Sequence, residues 1–92
     1  MHQHSLEAYR ALDVGTRRAF VLQSYADHGP LTDRAVCASL GYDDMNAVRP
    51  RISELVKQGS LVECGTVRDD LTRRMVRTCR LRVEPKQLDL AI

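Results

Sequence analysis

The sequence predicts a single, mainly α domain that closes on a C-terminal β-hairpin, and three observations carry that expectation. Between Asn46 and Gln58, Val48, Ile52, Leu55 and Val56 recur at i, i+4, i+7 and i+8, which gathers them on one helix face. After Gly59 the pattern shifts to β-branched and small residues, first over Leu61–Val67 and again over Met75–Val83. The glycines fall at the joints between these segments, and 92 residues is the length of one domain with one small core.

Each element has its own local signals. Ser5 reads as the N-cap of a first helix, with Glu7 in its first turn and Leu6, Tyr9 and Leu12 at helical spacing. Val14-Gly15 reads as its end. Thr16 then caps a second helix, in which Phe20, Val21 and Leu22 alternate with Arg17, Arg18 and Gln23. That helix stops at Asp27-His28-Gly29-Pro30, with His28 suited to the negative end of the dipole. Thr32 caps a short third helix carrying Ala35, Val36, Ala38 and Leu40, and Gly41 ends it. A tight turn leads to the fourth helix, which Asn46 caps and Gly59 closes. With the helix starting near Asn46, Pro50 falls just past the first turn, whose amides have no internal partner, so the cost of proline is lowered and a slight kink can accompany it. Arg68–Arg74 is the hairpin tip. The domain runs over residues 1–83 and residues 84–92 form a tail, in which Leu88, Leu90 and Ile92 recur every second residue.

Charge divides the chain more sharply than the net +2 suggests. Residues 1–48 hold four basic side chains against six acidic ones, whereas residues 49–82 hold nine basic against four acidic. All but one of those nine are arginine, whose planar guanidinium matches phosphate oxygens in pairs. A solvated, internally paired face is the competing explanation for any single one of them: Arg49 and Arg51 flank the apolar face and can brace the helix through Asp43, Asp44 or Glu54.

Several classes are disfavoured. Cys37, Cys64 and Cys79 are an odd number and form no CxxC motif, so a disulfide framework and a metal site are both unexpected, and the three are read as reduced thiols. Cys64 and Cys79 would face each other only if the hairpin centred near Leu71-Thr72. His2, His4 and His28 are not spaced to complete a metal site with a cysteine. No apolar run is long enough to span a membrane, and the first residues lack a signal core, which reads as a cytoplasmic protein. No nucleophile, base and orienting group combine, and no glycine loop suits a phosphate, so neither an enzyme nor a cofactor is expected. Three tyrosines and one phenylalanine are few for stacking on single strands or RNA.

Three stretches resemble the winged helix-turn-helix family. HGPLTDRAVCASLGYDD is similar to the first helix of the motif with its Leu-Thr start and Leu-Gly end. NAVRPRISELVKQGSLVECG is similar to the recognition helix and the start of the wing, and TRRMVRTCRL to the return strand. The Val-Arg-Pro-Arg-Ile-Ser-Glu-Leu segment and the N-terminal Ser-x-Glu-Ala-Tyr are similar to small phage and prophage winged-helix proteins. A more distant likeness is to regulators of the multiple-antibiotic-resistance type, whose long dimerisation helices this chain lacks.

The resemblance implies three or four helices plus a wing, and double-stranded DNA as partner. The second helix of the motif would enter the major groove and the wing would lie along the backbone or minor groove. On this chain that implies nucleic-acid contacts from Asn46, Arg49, Pro50, Arg51, Ser53 and Lys57, with Arg68, Arg73 and Arg74 on the wing. Two features run against the pattern: Glu54 would lie near the groove, and Asp69 and Asp70 put acids on the wing. The implied function is a regulator or accessory factor of a phage or mobile element, with transcription regulation in view. The other reading is a protein-interaction module that docks on a host or phage complex, for example as an inhibitor. The oligomeric state stays open, a homodimer included.

Overall fold

The computed structural model describes residues 6–82, and over that span the helices precede the β-hairpin. Helices α1 (Leu6–Ala11) and α2 (Val14–His28) are followed by a two-residue strand β1 (Leu31–Thr32) and helix α3 (Asp33–Ser39). A single 3-10 turn, Met45–Ala47, leads into α4 (Arg49–Gln58), and the chain continues as β2 (Leu61–Arg68) and β3 (Met75–Leu81). The three strands form an antiparallel sheet in the order β1-β3-β2.

Local chemistry explains most joints, and corrects some of those expected above. The cap of α2 is Asp13, whose Oδ1 accepts the Thr16 amide at 2.7 Å; Thr16 is the capped residue and Val14-Gly15 lie inside the helix. At the other end Gly29 adopts φ 80° and donates its amide to Tyr25 at 2.8 Å, a conformation a side chain resists. Thr32 caps α3 as expected, its hydroxyl accepting the Ala35 amide at 3.1 Å. Asn46 caps no helix: Asp44 Oδ1 accepts its amide at 2.9 Å and opens the 3-10 turn instead. Val48 takes the cap position of α4, two residues later than expected. Pro50 falls within its first turn, where the missing amide has no helical partner to lose and no kink is needed.

The core lies between α1, α2, α3, α4 and the base of the sheet. Val21, Val36, Val48, Ile52, Leu55, Leu61 and Cys79 are buried there with Tyr9 and Tyr25. Phe20 and Leu22 of α2, and Val56 from the expected apolar face of α4, are only partly buried and pack on its rim. Tyr9 packs at a tilt against Tyr42 with ring centroids 5.0 Å apart, fixing α1 on the loop that precedes α4.

Strand β1 was not expected. Leu31 and Thr32 pair with Cys79 and Thr78, so the sheet gains a third strand beside the hairpin. In the hairpin itself, Glu63 pairs with Cys79 and Gly65 with Thr78, which leaves Cys64 as the extra residue of a β-bulge. Cys64 is exposed and Cys79 buried, and neither forms a disulfide, nor does Cys37. Strand β3 ends at Leu81; Val83, the 84–92 tail and the Ser5 cap lie outside the described residues. Among the described residues no helix is long and apolar enough to cross a membrane, and no group of three or more His, Cys, Asp or Glu is placed to hold a metal.

Candidate nucleic-acid interface

Helix α4 has two faces because its sequence repeats at helical spacing. Val48 at its N-terminus, Ile52 and Leu55 are buried, while Arg49, Pro50, Ser53 and Lys57 are exposed. Arg49, Ser53 and Lys57 are four residues apart and form one stripe. Asn46 is exposed on the 3-10 turn just before it.

Arg51 does not join that stripe. Its side chain is 14 % exposed and pairs with Glu54 three residues on, at 2.9 Å. Glu54 is also held from α2, where Arg18 Nε donates to Oε1 at 3.1 Å. Two arginines thus hold one carboxylate between α2 and α4. Glu54 is committed to the helix packing, and Arg51 braces α4 as the pairing alternative anticipated.

The hairpin comes back against the same side of α4 through Arg77. Its Nη2 donates to Asp33 Oδ2 at 3.2 Å and to the Ser53 hydroxyl at 3.1 Å, and Nη1 reaches Glu63 at 3.4 Å. Burial opposes the guanidinium's charge, but the hydrogen bonds and attraction from Asp33 outweigh it, and the pKa is raised above the ordinary arginine value. Asp33 also faces Arg49 at 3.7 Å. Alternation along β3 puts Met75 on the face of Arg77, and Arg68 pairs across from Met75, so Arg68 shares that face.

Between α3, the start of α4 and the hairpin lies an open cleft of about 230 Å³, lined by Asp33, Arg49, Asp69, Arg74, Met75 and Arg77 among others. Its two carboxylates are neutralised internally, Asp33 by Arg77 and Asp69 by Arg34 at 2.8 Å. Lys57, Arg68, Arg73 and Arg74, by contrast, make no ion pair with any described residue. Asp70 is exposed at the tip, while Asp69 is turned back toward α3.

Of the nine residues expected to touch nucleic acid, Arg49, Ser53 and Lys57 form the exposed stripe of α4, Arg68 shares the hairpin face of Arg77, Arg74 lines the cleft with Arg49, and Asn46 and Pro50 are exposed around the start of α4. Arg73 lies at the hairpin tip, and Arg51 is turned away. The pairs that organise this side were missed. Arg77 with Asp33 spans 44 positions and Arg34 with Asp69 spans 35, separations at which local spacing carries no signal. Compared with models of known families and with characterised proteins, the chain matches none.

Proposed function

We propose that this chain is a small winged helix-turn-helix protein that binds double-stranded DNA, with α3 and α4 as the motif and β2–β3 as the wing. One observation carries the reading. Of the described cations without an acidic partner, Lys57, Arg68 and Arg74 lie on the side of the exposed Arg49 and Ser53 and Arg73 stands at the adjoining hairpin tip, while Arg17 and Arg80 lie elsewhere. Asp33, Glu54 and Asp69 are already neutralised by other arginines, and Asp70 alone of the tip acids stands exposed beside them. That surplus suits a polyanion, and the narrow helix beside it suits a major groove. Binding needs no cofactor and no catalytic group, and the chain is not an enzyme in this reading. The likeness to phage and prophage winged-helix proteins points to a cytoplasmic regulator of transcription or an accessory factor of a mobile element.

Substitutions separate the two kinds of contact. Arg73→Ala with Arg74→Ala lowers affinity for every duplex and flattens the salt slope by about one to two units. Asn46→Ala relaxes base preference at one position by roughly 1–3 kcal/mol. A second reading has an observation of its own: Val67, Leu71 and Met75 are 45 %, 74 % and 60 % exposed on the hairpin. Apolar side chains so placed suit a protein surface, such as a host or phage complex. If neither substitution alters duplex binding and both disturb a protein complex, that module is the correct reading.

A further inference from the structure

Asp69 departs from its surroundings. From Glu63 to the end of β2 every residue is exposed, and Arg68, Asp70, Leu71, Thr72, Arg73 and Arg74 all face solvent. The Asp69 side chain is nonetheless only 9 % exposed. Its two oxygens have separate partners. Oδ2 accepts the Thr72 amide and the Thr72 hydroxyl, each at 2.9 Å, which shapes the turn. Oδ1 accepts Arg34 Nε at 2.8 Å, from helix α3. The backbone closes around this carboxylate: the Asp69 amide donates to Arg74 and the Arg73 amide to Asp69, both at 2.8 Å, with Arg73 at φ 65°.

Little else fixes the tip. Leu71 and Met75 are mostly exposed, so apolar packing contributes little there. The next tie to the helices is Arg77, lower on β3, through Asp33 and Ser53. The tip carries two of the four cations that the DNA reading depends on, and one ion pair sets where they stand over the cleft.

We propose that Arg34 and Asp69 are positioning residues for DNA binding: they tie the hairpin tip to α3 so that Arg73 and Arg74 meet the phosphate backbone in register with α4. This rests on the DNA reading above. The proposal has a sign that simple charge does not. Removing the Asp69 charge leaves the protein more positive beside a polyanion, so Coulomb attraction alone predicts tighter binding. The tie predicts weaker binding, because an untethered tip must be ordered again when DNA binds.

The test uses the full chain with Asp69→Asn, Arg34→Gln and Arg34→Lys, and two readouts: affinity for a random duplex oligonucleotide, and backbone ¹⁵N relaxation at residues 69–74. Asp69→Asn keeps a side-chain oxygen for Thr72 and loses the ion pair. It is expected to weaken binding roughly three- to tenfold and to lower order at the tip. Arg34→Gln should do the same. Arg34→Lys, whose ammonium can donate to the same oxygen, should stay within about twofold of the parent. Affinity for Asp69→Asn that is unchanged or tighter overturns the positioning role. Unchanged order at residues 69–74 overturns the tie itself. A parent chain that binds no duplex overturns the DNA reading and the positioning role with it, while the relaxation data still decide whether the ion pair orders the tip.

Discussion

Ile52→Ala tests the division of α4 into a packed face and an exposed one. Ile52 is wholly buried, among Val48, Leu55, Val36 and Val21 of the same cluster. The substitution removes three carbons; at about 0.8 kcal/mol per buried methylene the transfer loss is about 2.4 kcal/mol. The cavity left under a helix clamped from α2 cannot collapse fully, which brings the total to roughly 3–4 kcal/mol, within the range of such deletions. For a domain of this size that lowers Tm by roughly 12–30 °C. Thermal unfolding followed by far-UV circular dichroism reads it, with Lys57→Ala on the opposite face as control, expected within about 0.5 kcal/mol of the parent. Equal melting curves for the two variants would show that the faces of α4 are wrongly assigned, and the stripe of Arg49, Ser53 and Lys57 would lose its basis.

Three further outcomes follow from the same geometry. Arg51→Ala should cost about 1–2 kcal/mol of stability through its lost pairing with Glu54 and leave the salt slope of DNA binding unchanged; a flattened slope refutes the inward placement of Arg51. The Asp69 carboxyl is held below its ordinary value of 3.8, first by the Thr72 amide and then by Arg34. Its contribution is therefore complete above that pH and lost as pH falls through the lower folded value, so the Thr72 amide resonance should titrate with a midpoint below 3.8, and a midpoint above it contradicts the hydrogen bond. Thiol labelling of the native protein at mildly alkaline pH should modify exposed Cys64 quickly. Cys79, pushed up to about 11 by burial, and buried Cys37 should react only on unfolding; two fast thiols, or fewer than three in all when prepared without oxidant, oppose this.

Much of the fold was legible because its signals are local. Gly29-Pro30 stops α2, Thr32 caps α3 and Gly59 closes α4 with φ 89°, all within a few residues of the feature they specify. The start of α4 was misread because Asn46 and Asp44 are both good caps and stand two residues apart, and Pro50 was weighed as a defect. Proline in a first turn is itself a start signal, and it marked the helix correctly. Thr16 was taken as the cap of α2 in place of Asp13 for a similar reason, since a capping residue and the residue it caps are both polar and three apart. Strand β1 is two residues long, too short for any alternation to show. The candidate site was legible as a set of basic residues. Which of them are committed to internal pairing was not, because Arg18 with Glu54 and Arg77 with Asp33 meet only through the fold.

The central claim is that the unpaired cations on α4 and the hairpin face a nucleic-acid backbone, and a salt series on duplex binding tests it most directly. With Lys57, Arg68, Arg73 and Arg74 each meeting a phosphate, and the exposed Arg49 exchanging its 3.7 Å contact with Asp33 for another, the logarithm of the association constant should fall against the logarithm of salt with a slope of about −4 to −5. A slope in that range on random duplex, with tighter binding to a selected sequence, is the predicted result. No binding at low salt, or a slope shallower than about −1, would contradict the account.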